Sequence, residues 1–386
     1  MTLFGDIWFF LIAGVCTLPA IILGIMERTI KYYGFGVTVF FAAAASIENP
    51  WSLLWLAVYC ILELILVKGY LCIYAASGRV RWHFWMFLIL ALAPLIAFKV
   101  AGVLGGNLFG FLGISYMTFK SVQVIIEIYD GLIKECDTFS FLYFLTFFPC
   151  LASGPIDRSR RFDRDLEEIP SRINYLENVG TGLFKICLGL VYKFALASGF
   201  YLLMTNFGLG KDLCSAWIYM YTYGFYLFFD FAGYSLMAVG FSYIFGIITP
   251  DNFNKPFLST DIKEFWDRWH ISLSHWFRDF IFSRFMMAAI RGKWFRTKLS
   301  GAAIGFIVNM TVMGIWHGLT WYYIAYGLYH GIILALTEVY QKKSGFYKKH
   351  KKEKWYRAVS WFITLQIVMF GFFIFSGRLF QLIGWA

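Results

Sequence analysis

The sequence predicts an all-α polytopic membrane protein, with about ten or eleven transmembrane helices and further re-entrant or interfacial helices. Three observations carry this. Of the 386 residues, 60% are hydrophobic, 22% aromatic and only 15% charged; a soluble domain holds roughly 45–50% apolar and about 25% charged residues. Apolar runs recur near 7–26, 33–47, 51–76, 84–101, 104–128, 139–152, 179–206, 213–247, 299–319, 321–340 and 358–380. Many reach the roughly 20 residues that cross a bilayer as a helix. The runs are continuous and do not alternate, which selects helices over a barrel. A soluble enzyme, a secreted disulfide scaffold and a disordered chain are excluded.

Taken in order, the stretch from Met1 to Asp6 lacks a basic leader and a small-residue cleavage site. The first apolar run is therefore expected to be a retained helix. Arg28 and Lys31, Arg79 and Arg81, and the loop 341–357 carry the positive charge that marks cytoplasmic loops, which places the N-terminus outside. The net charge is +11. The stretch from Gln341 to Ala358 alone holds eight basic residues against Glu353, a net +7. That is a topology signal, and no base-reading element accompanies it, so nucleic acid is not an expected partner. Membrane lipid is.

The whole of 1–386 reads as a single membrane-embedded domain with two polar interruptions. The first, 156–178, has five arginines and several acids and is too polar for lipid. The second, 249–298, mixes Trp, Phe, Arg and Asp at close spacing, as short amphipathic helices at the interface do. Ser259–Asp261 followed by Glu264 reads as a helix start. Glycines at i, i+4 (Gly102, Gly106 and Gly110; Gly301 and Gly305) predict close helix packing.

The chemistry must come from few polar residues. No GxxxxGK[ST] loop, GxGxxG fingerprint, HExxH helix or GxSxG elbow occurs. Seven cysteines, none in a CxxC pair and most in apolar runs, read as buried inert thiols with no disulfide framework and no zinc cluster. Of six histidines, His270 and His275 lie about 140° apart around a helix and do not share a face. His317 and His330 would be about 20 Å apart on one straight helix. No metal site is expected. His317, in GIWHG, lies between two apolar runs, where an ionisable group is costly and is a functional candidate by default. Its chemistry suits a general base, with Trp316 and Trp321 able to wall a cavity; a packing histidine bonded to a carbonyl is the alternative. His270 lies among Asp267, Arg268, Arg278 and Asp279, a setting that also fits an interfacial helix of paired charges. Asp230 is an isolated acid in YLFFDFAGYSLMAVG; Glu63, Glu127 and Asp130 raise the same question more weakly.

Three blocks, WDRWHISLSHWFRDF around His270, GIWHG around His317 and FDFAGYSLMAVG around Asp230, resemble the membrane-bound O-acyltransferase family. The resemblance runs along most of the chain and is loosest in the first 80 residues. FLGISYMTFKSVQVIIEIYDG and SGPIDRSRRF resemble the branch that attaches D-alanine to teichoic acids more than the branch that O-acetylates polysaccharides. The resemblance implies a multi-pass protein of the bacterial cytoplasmic membrane, a ring of helices around a central tunnel. The donor would be D-alanine held as a thioester on the phosphopantetheine arm of a small D-alanyl carrier protein; this chain itself would bind no cofactor. Other membrane proteins of teichoic acid D-alanylation are implied as partners. His317 would be the catalytic base and His270 the second signature histidine, positioning the thioester. Asp230, Trp316 and Ser272 would line the substrate tunnel.

Such carriers are acidic around the serine that bears the arm. Phe285, Met286, Met287 and Ile290, beside Arg284, Arg291 and Lys293, offer the apolar and basic surface to receive one. A helix lying on anionic lipid is the competing reading of the same stretch. Polysaccharide O-acetylation and, from another class, a transporter or flippase remain the alternatives for the whole chain. A transporter often carries internal repeats, and none is visible in the sequence.

Overall fold

A computed structural model describes residues 3–105 and 110–385. Among them the only strand-like pairing is an isolated antiparallel bridge between Phe253 and Trp269; the rest of the regular structure is helical. The described residues form two compact units. One takes the chain as far as Leu190 together with Gly233–Pro250; the other takes Val191–Ala232 together with the residues from Asp251 onward.

The first unit contains α1 (Ile7–Ile25), α2 (Lys31–Ala45), α3 (Pro50–Ser77), α4 (Arg81–Val103), α5 (Ile114–Tyr129), α6 (Thr138–Thr146), α7 (Ser159–Glu167) and α8 (Arg172–Leu190). The second contains α9 (Ser198–Phe207), α11 (Ile262–Arg268), α12 (Ile271–Phe277), α13 (Ser283–Arg291), α14 (Lys298–His317), α15 (Trp321–Lys343), α16 (Gly345–His350), α17 (Lys354–Phe375) and α18 (Arg378–Leu382). The long helix α10 (Leu213–Ile244) contributes residues to both.

Seven helical stretches among the described residues are long and apolar enough to cross a membrane: Ile7–Ile25, Pro50–Ser77, Arg81–Val103, Arg172–Phe207, Leu213–Ile244, Lys298–His317 and Lys354–Phe375. The other four apolar runs of the sequence are helical too, but built differently. α2 and α5 have 15 and 16 residues. The run at 139–152 breaks after the nine residues of α6, where Pro149 enters a single 3-10 turn. α15 has 23 residues, but its tyrosines, His330 and Glu338 dilute its apolar content.

Several polar groups inside the first unit are paired internally, as a water-poor interior favours; Glu63 on α3 is an exception, fully buried with neither carboxylate oxygen hydrogen-bonded. α5 is buried around its whole circumference. Its Lys120 Nζ donates to the Phe144 carbonyl at 2.8 Å and its Gln123 Nε2 to the Asp157 carbonyl at 2.9 Å. Glu127 accepts from Ser159 Oγ at 3.4 Å and faces Arg160 at 3.6 Å. Asp157, itself buried, pairs with Arg161. The start of the polar interruption at 156–178 thus places its charges against α5 as the short helix α7. Asp130 pairs with Arg79 at 3.3 Å.

Two expectations change. Only Cys60 and Cys150 are buried; Cys72, Cys187 and Cys214 are exposed on α3, α8 and α10. A spanning helix is apolar on its lipid side as well, so apolar neighbours in sequence do not imply burial in protein. A Cβ at Gly102 would meet nothing within 4 Å, so it does not mediate close packing. Gly106 lies outside the described residues.

The tightest crossing brings α14 against α15. A Cβ at Gly314 would stand 2.4 Å from the Tyr323 carbonyl oxygen, and one at Gly327 would stand 2.4 Å from the Met310 carbonyl oxygen. Backbone lies against backbone, which only glycine permits. The chain turns at Gly318–Thr320 between the two helices, so His317 ends one of them beside the start of the next. Gly327→Val should therefore destabilise the protein by about 1–3 kcal/mol, read as a lower unfolding temperature in detergent. An unchanged unfolding temperature would contradict the crossing.

Candidate active site

The second polar interruption folds into a chain of short helices. Asp261 caps α11, its Oδ1 accepting from the Lys263 and Glu264 amides at 2.9 Å each. Glu264 Oε2 reaches back to the Thr260 amide at 2.7 Å, so the helix start read from the sequence is present as a reciprocal cap. Asp261 and Lys263 also tie α11 to α15: Gln341 Nε2 donates to Asp261 Oδ2 at 3.1 Å, and Lys263 pairs with Glu338.

His270 stands between α11 and α12. Residues 252–254 run antiparallel to it. The Asn254 amide donates to the Arg268 carbonyl at 3.0 Å and the Ile271 amide to the Asn252 carbonyl at 2.9 Å. The Asn252 side chain accepts from both the amide (3.2 Å) and the hydroxyl (2.6 Å) of Ser272. These bonds hold His270 at φ +45°, ψ +53°, a left-handed conformation that a histidine adopts at a cost and that its surroundings must enforce. The side chain is only 4% exposed, and its buried Nε2 has no hydrogen-bond partner. The Phe231 ring meets it edge-on, centroids 4.6 Å apart. Burial first, and the nearby His317 second, push its basicity well below that of an ordinary histidine.

His317 is the last residue of α14. Its ring is surrounded by Trp316 at 4.6 Å, Phe375 at 5.1 Å, Tyr323 at 6.1 Å and Tyr326 at 6.3 Å. A Cβ at Gly318 would strike the Tyr323 ring at 2.5 Å, so glycine lets that ring close on the histidine site. Tyr326 also meets His330 at 4.7 Å. His317 and His330, which a straight helix would hold about 20 Å apart, thus share a neighbour, because the turn at Gly318 folds α15 back on α14. His330 is fully buried, against Trp266 at 5.3 Å.

The remaining candidates divide. Trp316 borders His317. Ser272 is committed to Asn252 and holds the His270 loop. Asp230 is not isolated: Lys193 Nζ donates to its Oδ1 at 2.5 Å. Phe285 and Met286 are half-buried; Met287, Ile290, Arg291 and Lys293 are exposed. Gly301 and Gly305 make room for this arrangement, a Cβ at Gly305 lying 3.0 Å from Phe282 and 3.2 Å from Phe285. Sequence reasoning missed Lys193 and Asn252. A cation inside an apolar run, one of two there with Lys185, was the available signal for the first. Nothing in the sequence marked the second. Among the described residues no three His, Cys, Asp or Glu side chains come together as a metal site.

The two histidines lie near one another among aromatic rings. One imidazole is kept neutral by burial; the other is half-buried at a helix end. Such a site can accept a proton from a hydroxyl.

Because His270 is buried neutral, unfolding in mild acid lets it take up a proton. The unfolded state then binds more protons, and stability falls as pH drops below about 6.5. His270→Gln should make that fall shallower, measured as the difference in unfolding temperature between about pH 7.5 and pH 5.5. An equal fall in both proteins would contradict it.

Residues 40–377 match the profile of MBOAT, the membrane-bound O-acyltransferase family. The chain is 39% identical over 393 residues to the teichoic acid D-alanyltransferase of Bacillus subtilis, covering 99% of each chain. It is 40% identical over 395 residues to that of Streptococcus thermophilus, covering 97% of this chain and 95% of the relative. A probable alginate O-acetylase from Azotobacter vinelandii is 32% identical over 270 residues, 69% of this chain and 51% of the relative. The chain belongs to the membrane-bound O-acyltransferase family.

Proposed function

We propose that this acyltransferase moves D-alanine from a carrier-protein thioester to a hydroxyl acceptor in teichoic acid D-alanylation. The observation that carries this reading is similarity to teichoic acid D-alanyltransferases over nearly the full length of both chains. The similarity to the probable alginate O-acetylase covers about half of that relative and supports polysaccharide O-acetylation less well.

In the proposed reaction His317 takes the proton of the attacking hydroxyl as its oxygen adds to the thioester carbonyl. The tetrahedral adduct collapses with loss of the phosphopantetheine thiolate, which receives the proton from His317. One C–O bond forms, one C–S bond breaks, and no net charge is created. A thioester is already activated, so no nucleotide site is required in this chain. The phosphopantetheine arm arrives with its carrier. His270, rigid and neutral, is assigned to positioning the thioester. The aromatic walls around His317 limit hydrolysis by excluding water.

The carrier is proposed to dock on α13. Exposed Met287 and Ile290 beside Arg291 and Lys293 present an adaptable apolar surface with basic flanks, suited to a transient acidic partner. Arg291→Glu with Lys293→Glu should weaken carrier binding about tenfold or more while membrane insertion stays normal. Unchanged binding would remove α13 as the docking surface and leave it as a helix lying on lipid.

The reaction itself is tested by transfer of labelled D-alanine from loaded carrier to membranes containing the protein. His317→Ala, correctly folded, should lower transfer by about a thousandfold or more. Full activity in that variant would overturn the assignment.

A further inference from the structure

Lys193 and Asp230 each lie well inside an apolar helical stretch, Arg172–Phe207 and Leu213–Ile244. They pair at 2.5 Å, with the Lys193 side chain 19% and the Asp230 side chain 39% exposed. An ion pair inside spanning helices is poor value as a stabiliser, because well-packed apolar residues commonly serve as well. Ionisable groups at such depth mark function more often than scaffolding.

The backbone gives a second, independent observation. Around Lys193 the helix widens into a π-helical turn, Val191–Ala197. Such turns are rare and occur frequently at functional sites. Tyr192, beside Lys193, packs edge-on against Phe229, beside Asp230, at 5.1 Å. Phe200 stacks on the same Phe229 at 5.5 Å. Rings at the positions next to each charge thus also join the two helices.

A third observation links the pair to the histidine site. Phe231 follows Asp230 in the chain and is the ring seated edge-on against His270; it also meets Phe253 at 5.1 Å. The His270 Nε2 has no hydrogen bond to orient it. The ring plane therefore depends on packing, and Phe231 supplies a large share of that packing.

We infer that the Lys193–Asp230 ion pair is a positioning device for His270: it fixes the rotation of the helix around Asp230, so that Phe231 holds the imidazole in its working orientation. Neither charge touches the reacting atoms. The pair acts through Phe231, and losing it lets the imidazole turn without dismantling the fold. This rests on the acyl-transfer reading given above.

The test uses the full-length protein in nanodiscs, with D-alanyl-loaded carrier varied across saturation. Wild type must transfer D-alanine and His317→Ala must not; failure there rejects the reaction, and the pair is then judged by ring orientation, read directly from the ¹⁵N chemical-shift anisotropy of labelled His270. Lys193→Met, Asp230→Asn and Phe231→Leu should each lower kcat at least about tenfold while KM for the carrier stays within about twofold. Lys193→Arg should keep most of the activity. Asp230→Asn combined with Phe231→Leu should be no slower than the slower single variant, because both act on one contact. The neutral pair Lys193→Met/Asp230→Asn carries no uncompensated charge and keeps the test open if a single variant misfolds. It should fold, transfer slowly and show a reoriented His270. Multiplied losses in the Asp230→Asn/Phe231→Leu variant would overturn the inference. So would wild-type kcat with an unmoved His270 in the neutral pair.

Discussion

Lipid offers no hydrogen bonds, so every polar group that the second unit keeps must be paired, caged or used. The His270 loop shows how this constraint builds a site. Its backbone is held by residues 252–254, the preceding helix α11 is capped by Asp261, and its geometry is fixed by the two bonds from Ser272 to Asn252. A left-handed histidine with a buried, unpartnered nitrogen survives only inside such a frame. The crossing of α14 and α15 does the same for His317, because backbone contact at Gly314 and Gly327 leaves little freedom for the helix end that carries it.

The two histidines therefore differ by environment rather than by type. His270 is sealed, with burial holding it neutral. His317 sits at a helix end among Trp316, Tyr323, Tyr326 and Phe375. An arrangement of one rigid neutral imidazole beside one at a helix terminus suits a division between holding an acyl donor and moving a proton.

Much of this was legible in the sequence. Composition and run length are properties of the solvent a chain lives in, so the membrane class followed from them directly. The cap at Asp261 and Glu264 was readable because capping is local chemistry at fixed spacing. Asp230 was visible as a charge out of place, and Lys193 could have been, but their pairing was not, since a contact between two helices leaves no local pattern. The left-handed backbone at His270 was likewise hidden: nothing short of the pairing with Asn252 and Asn254 requires it. The proximity of His330 to the histidine site depended on the turn at Gly318, and periodicity alone reads straight through that turn. Cysteine burial failed for a simpler reason. Apolar neighbours mean protein core in a soluble chain, but lipid or core in this one.

The central claim is that the acyl group is delivered to the His270–His317 site. The most direct measurement is a structure of the protein bound to a carrier whose phosphopantetheine arm bears a hydrolysis-resistant D-alanyl amide. The account predicts the D-alanyl carbonyl beside His317, leaving room for a hydroxyl within about 3–3.5 Å of its carbon, with His270 against the arm. An arm that ends away from both histidines, in a complex still competent to bind the loaded carrier, would contradict it.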